Sequence, residues 1–142
     1  MLFGHLAVPT ILHHYFELKP VPLYGGSIAP DVIDKGLQQM GLTVNGRNWA
    51  HNIFSLLIST TLIWLVKDGQ TAKSWFIGYL GHLICDANGF VPWFYPLASY
   101  EFYPSEKNLW EKIKSARPSI IEFTFILSAT SIFLFSKKGH RN

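Results

Sequence analysis

The sequence predicts an all-α protein: a compact helical bundle, membrane-embedded or membrane-associated, with a metal site at one end. Three observations carry this. Long apolar runs at 49–66 and 119–136 are broken by short polar connections and turn-rich stretches. Hydrophobic residues make up 49% of the chain and charged residues only 15%, below the roughly one quarter usual in soluble domains. His82 and Asp86 stand four apart in an otherwise apolar segment, a spacing that places both on one face of a helix.

Residues 1–16 are apolar, carry His5, His13 and His14, and are bent or interrupted at Pro9. Residues 17–36 read as turn-rich chain, with Pro20, Pro22, Gly25, Gly26 and Pro30 leading to Asp31 and Asp34. Asn45-Gly46 signals a further turn. The run 49–66 approaches the ~20 residues needed to cross a bilayer, so it is expected as a transmembrane helix. Residues 67–73 connect it to a second, shorter helix at 74–86. An aromatic, Pro-rich stretch follows at 87–104, then an amphipathic segment at 105–117 and the third apolar run with Glu122 near its start. The 142 residues make one domain, 1–142. Cys85 is the only cysteine, which excludes an intrachain disulfide. A scattered net charge of +3 argues against a nucleic-acid partner. No positively charged leader precedes the first apolar stretch, so His5 is expected in the mature protein.

The short connection at 67–73 makes the helices on either side antiparallel neighbours. That brings His51, at the start of one, level with His82 and Asp86, at the end of the other. Asp31, Asp34 and Arg47 lie on the same side, and Arg47 shares a face with His51 if the helix begins early. Imidazole and carboxylate together are the donor set of zinc, manganese and iron sites. A buried carboxylate without a partner or an ion is costly. Spacing alone leaves open which of Asp31 and Asp34 is a ligand. Asp34 suits either a general base or the carboxylate that orients a ligand imidazole. Arg47 suits an anionic substrate group or an aspartate partner.

The motifs resemble those of the membrane-bound metal-dependent hydrolase family, the YdjM-type inner-membrane proteins. The shared pattern is His5, Pro30-Asp31-Val-Ile-Asp34, Arg47-Asn-Trp-Ala-His51, Gly78-Tyr-Leu-Gly-His82-Leu-Ile-Cys-Asp86 and Pro92-Trp-Phe-Tyr-Pro96, covering about residues 1–100. The chain departs from it at Lys35, at Gly46 before Arg47, and at Asn52 after His51. A more distant similarity is to zinc-dependent phospholipase C, in which the His, Asp, His, His-x-x-x-Asp order parallels His5, Asp31, His51, His82 and Asp86. The later His-rich segment of those enzymes has no counterpart, since His140 is the only histidine after His82.

The resemblance implies one or two divalent ions, with zinc foremost, held by His5, Asp31, His51, His82 and Asp86. It implies a hydrolase that activates water on the ion. In such an enzyme the candidate catalytic side chains are Asp34, as general base or orienting carboxylate, and Arg47, as stabiliser of developing negative charge. The expected substrate is a small-molecule or lipid phosphoester. The expected partner is membrane lipid, and the expected location the membrane, specifically a bacterial inner membrane. The competing reading is a non-catalytic membrane protein whose polar residues form a structural metal site or hydrogen-bond network. A bis-His haem carrier using His51 and His82 is a third reading.

Overall fold

A computed structural model of the chain describes residues 4–87 and 89–104, together with 127 and 131; the side chains of residues 4–6 lie outside that description. Four helices follow in order: α1 (Gly4–Tyr15), α2 (Pro20–Gln39), α3 (Ile53–Val66) and α4 (Gly69–Asp86). There is no strand among the described residues. The expected amphipathic segment 105–117, Glu122 and most of the run 119–136 lie outside the described residues.

The stretch 17–36, expected to turn, is mostly α2. Two of its prolines sit in the first turn, where the missing N–H has no intrahelical partner to lose. Pro30 stands inside the helix, four residues after Gly26. Gly26 and Gly78 mark the place where α2 and α4 meet backbone to backbone. A Cβ on Gly78 would lie 2.0 Å from the Leu23 carbonyl oxygen, and one on Gly26 would lie 2.3 Å from that of Trp75. The glycines that suggested turns therefore serve close helix approach.

The apolar run 49–66 is shortened at its start. Asn52 is the N-cap of α3, its side chain accepting from the Ser55 N–H at 2.9 Å while its amide donates to the Trp49 carbonyl at 2.6 Å. His51 and Arg47 consequently lie in the loop before α3, and their four-residue spacing does not put them on a helix face. The remaining 14 residues of α3 span about 21 Å, against a hydrocarbon core of about 30 Å. No helix among the described residues is long and apolar enough to cross a membrane, which overturns the expected transmembrane helix. α4 is longer than expected, starting at Gly69 behind an Asp68 cap, so only Lys67 and Asp68 separate it from α3. It carries Lys73, His82 and Asp86, which make it a poor span.

Lys19 closes the end of the bundle away from the α4 C-terminus. Its ammonium donates to both oxygens of Asp68, at 3.0 and 2.8 Å, and its backbone N–H donates to Ser74 Oγ at 2.9 Å. Asp68 and Lys19 are half-exposed, so this pair fixes geometry more than it adds stability. Among the described residues the core is formed by Leu56, Tyr79, Leu83 and Val91, with Trp75, Phe76, Leu80 and Trp93 packed against it.

The glycine contact gives a direct test. Gly78→Ala should destabilise by at least the ~1–3 kcal/mol of an overpacked core, because the opposing atom is backbone and cannot rotate away. Gly36→Ala, on α2 and with open space at its Cβ, should instead stabilise by about 0.5–1 kcal/mol. Chemical denaturation of both variants measures the contrast.

Candidate metal centre

Asp34 builds the site. It is fully buried on α2, and its carboxylate gathers the incoming loop: the Asn48 N–H reaches Oδ2 at 2.6 Å, and the Ala50 N–H reaches Oδ1 at 2.9 Å. His51 Nδ1 donates to the same Oδ2 at 2.8 Å. Tyr79 adds a second anchor from α4, its hydroxyl donating to the Ala50 carbonyl at 2.6 Å. These contacts explain why residues 48–51 wrap around Asp34 instead of extending α3. Burial alone would raise the Asp34 pKa, but the bonds from His51, Asn48 and Ala50 outweigh it and hold the carboxyl below its ordinary value.

His82 is buried on α4 and donates from Nδ1 to the Ser27 carbonyl at 2.7 Å. A carboxylate and a carbonyl only accept, so both imidazoles carry their hydrogen on Nδ1. When neutral, both present Nε2 lone pairs, and these two atoms lie 3.2 Å apart. Two acceptors facing each other at that distance repel unless a cation lies with them. A proton or a metal ion meets the need.

Two carboxylates complete the group. His51 Nε2 lies 3.6 Å from Asp31 Oδ1 and 3.6 Å from Asp86 Oδ2. His82 Nε2 lies 4.0 Å from Asp31 Oδ1 and 3.9 Å from Asp86 Oδ2. One donor atom from each of Asp31, His51, His82 and Asp86 falls within 4.8 Å of all the others, a group that could hold a metal ion. Burial would lower the His51 pKa, but Asp34, Asp86 and Asp31 together raise it. For Asp31, burial acts to raise the pKa and is outweighed by Lys35, with His82 and His51 adding to the lowering.

Arg47 meets Asp86 at 2.7 Å, and Lys35 meets Asp31 at 2.5 Å. Each of the two clustered carboxylates is thus held by a cation as well as facing the imidazoles. Sequence reasoning assigned Lys35 no role and missed the Ser27 carbonyl altogether. The Lys35–Asp31 pair had a readable signal, the i,i+4 spacing on a helix, hidden because this stretch read as a turn. The His5 side chain lies outside the described residues. His13 is exposed and bonds through Nδ1 to the Leu18 carbonyl at 2.8 Å, apart from the cluster. Both Nε2 atoms are buried and ringed by Asp31 and Asp86 oxygens at 3.6–4.0 Å, a packing that leaves no space for a porphyrin between the histidines. No family model, curated protein or solved structure matches the chain.

Asp34→Asn should destabilise the fold by about 2–4 kcal/mol at neutral pH, since its amide cannot accept from all three donors. The lowered pKa of Asp34 means its ionised form contributes stability above the unfolded carboxyl pKa, and that contribution disappears as pH falls through the lower folded value. The gap between wild type and Asp34→Asn in denaturant titrations should therefore narrow below about pH 4.

Proposed function

We propose that the protein is a membrane-associated metal-dependent hydrolase acting on a phosphoester, with Asp31, His51, His82 and Asp86 holding one divalent ion. The observation that carries this reading is the pair of Nε2 atoms held 3.2 Å apart, each ring fixed at Nδ1 and each flanked by two carboxylates. Buttressing of this kind is how proteins fix the tautomer and direction of ligand imidazoles. The motif resemblance over residues 1–100 supports the same assignment.

Zinc is the first candidate among ions, since imidazole and carboxylate suit it. A divalent ion here would supply Lewis-acid activation of water and polarisation of a phosphoryl centre. A closed structural site is the competing reading, because four protein donors can complete a tetrahedron. One feature favours the open reading: structural zinc sites are built mainly on cysteine, and Cys85 is not in this group.

Asp34 acts in this reading as the carboxylate that orients His51, with all three of its bonds directed inward. Arg47 positions Asp86 and stands beside the incoming substrate. Membrane association is supported by α3, where Leu57, Ile58, Leu62, Trp64, Leu65 and Val66 are all exposed. A surface of this kind suits the headgroup–acyl boundary of a bilayer, with the helix lying in the interface.

His82→Ala and Asp86→Asn should each lower the ion-to-protein ratio of the purified full chain by tenfold or more, with phosphoesterase activity falling in step. His14→Ala, exposed and outside the cluster, should leave both unchanged. Elemental analysis checks the first expectation, and an unchanged ratio in both site variants would sink the assignment. For the membrane, Leu62→Glu with Leu65→Glu should release the protein from floated phospholipid vesicles. Co-flotation equal to wild type would remove α3 as the contact surface.

A further inference from the structure

A ligand carboxylate is commonly held by a further hydrogen bond, for which a neutral donor suffices. Yet Lys35 lies 2.5 Å from Asp31 Oδ2, and Arg47 lies 2.7 Å from Asp86 Oδ2, the oxygen that also faces both histidines. Both cations are 32% exposed, whereas the two imidazoles are fully buried. The cations therefore stand between the cluster and solvent.

The two cations flank one cluster, holding carboxylates whose donor oxygens lie within 4.8 Å of each other, and each passes over a glycine. A Cβ on Gly46, the residue before Arg47, would lie 3.1 Å from Lys35 Cγ, so the lysine stem passes directly over that glycine. A Cβ on Gly89 would lie 2.4 Å from Arg47 Nη1, so the guanidinium lies over a second glycine. Glycine at both places keeps bulk away from the two charged groups.

The charge balance sets the direction of the effect. Asp31, Asp34 and Asp86 against Lys35 and Arg47 leave one negative charge when both imidazoles are neutral. A divalent ion reverses that to one positive charge. It also competes for the carboxylate oxygens that now hold the two cations. An ammonium and a guanidinium freed toward solvent from the two carboxylates of one cluster match the oxygens of a terminal phosphate, the guanidinium by its fork and the ammonium as a point charge.

We infer that Lys35 and Arg47 form a two-cation clamp that recruits a terminal phosphate group, and that the clamp turns outward when the cluster is loaded with a divalent ion. Lys35 is the specificity-determining member, since Arg47 is also tied to the buried Asp86 and, at 3.4 Å, to the Phe90 carbonyl. This rests on the metal-centre reading of the cluster. The phosphate belongs either to a lipid headgroup or to a soluble phosphomonoester.

The test titrates inorganic phosphate into the zinc-loaded full chain by calorimetry, with the zinc-to-protein ratio measured on every sample. Zinc-loaded wild type should bind phosphate at least about tenfold more tightly than the zinc-free chain, as the reversal of site charge requires. Lys35→Ala should weaken phosphate about tenfold at an unchanged zinc ratio, and Lys35→Arg should restore most of the loss. Gly46→Ala, which displaces the lysine stem while keeping its charge, should weaken binding in the same direction. Preference for vesicles containing phosphatidic acid over phosphatidylcholine alone, lost in Lys35→Ala, assigns the lipid source. Competition by glycerol phosphate without that preference assigns the soluble one. Unchanged phosphate binding in Lys35→Ala, or zinc lost in parallel with phosphate, overturns the clamp. Wild type that holds zinc but ignores phosphate overturns the clamp and leaves the metal centre standing, whereas wild type that holds no zinc overturns both.

Discussion

The contact between α2 and α4 at Gly26 and Gly78 is the constraint on which the rest depends. Side chains normally hold helices 8–10 Å apart; here backbone atoms touch backbone atoms. That closeness is what lets the Ser27 carbonyl, one residue after Gly26, receive the His82 Nδ1–H, one turn after Gly78. Asp31, one turn beyond Ser27, then falls opposite His82, and Asp86 lies one turn past His82. Three of the four clustered donors thus follow from two glycines and helical periodicity.

The fourth donor needs a different device, because His51 lies outside any helix. Asp34 supplies it by binding two loop N–H groups and the imidazole with one buried carboxylate. A carboxylate in that setting is costly unless every bond is made, and here the bonds outweigh the burial. The loop that delivers His51 also delivers Arg47 to Asp86. The cap at Asn52 then lets α3 start cleanly after the loop is bound.

Much of this was legible in the residues. His82 and Asp86 read as one helical face, and the short α3–α4 connection puts the His51 end of the first helix level with them. The helical class follows from the apolar runs. The differences share a cause: tertiary packing overrides local composition. Pro20, Pro22, Gly25, Gly26 and Pro30 favour a turn locally, but the helix they form is stabilised by packing against α4. The run 49–66 reads as long enough to span only if Trp49 and Ala50 are counted with it across the polar pair His51 and Asn52, and Asp34, seventeen positions before His51, pulls that end out of the helix. Which of Asp31 and Asp34 faces the histidine Nε2 atoms depends on helix register in α2, and a stretch whose composition reads as a turn carries no register.

The balance between inside and outside ties the fold to its chemistry. Among the described residues, buried polar and charged side chains are nearly as numerous as buried hydrophobic ones, eight against nine. Three of those nine hydrophobic residues are alanines, so apolar burial among the described residues is slight. The interior is therefore organised by directional contacts around Asp34, His51 and His82, which hold one geometry tightly because a misplaced buried polar group is expensive. The apolar residues displaced from that interior face outward, most densely along α3. A lipid boundary at α3 and an ion at the His–Asp cluster would each supply what this small core lacks. One would cover apolar surface, and the other would neutralise converging acceptors. On this argument the sparse hydrophobic core and the metal-ready polar centre are two consequences of one packing choice, the close crossing of α2 and α4.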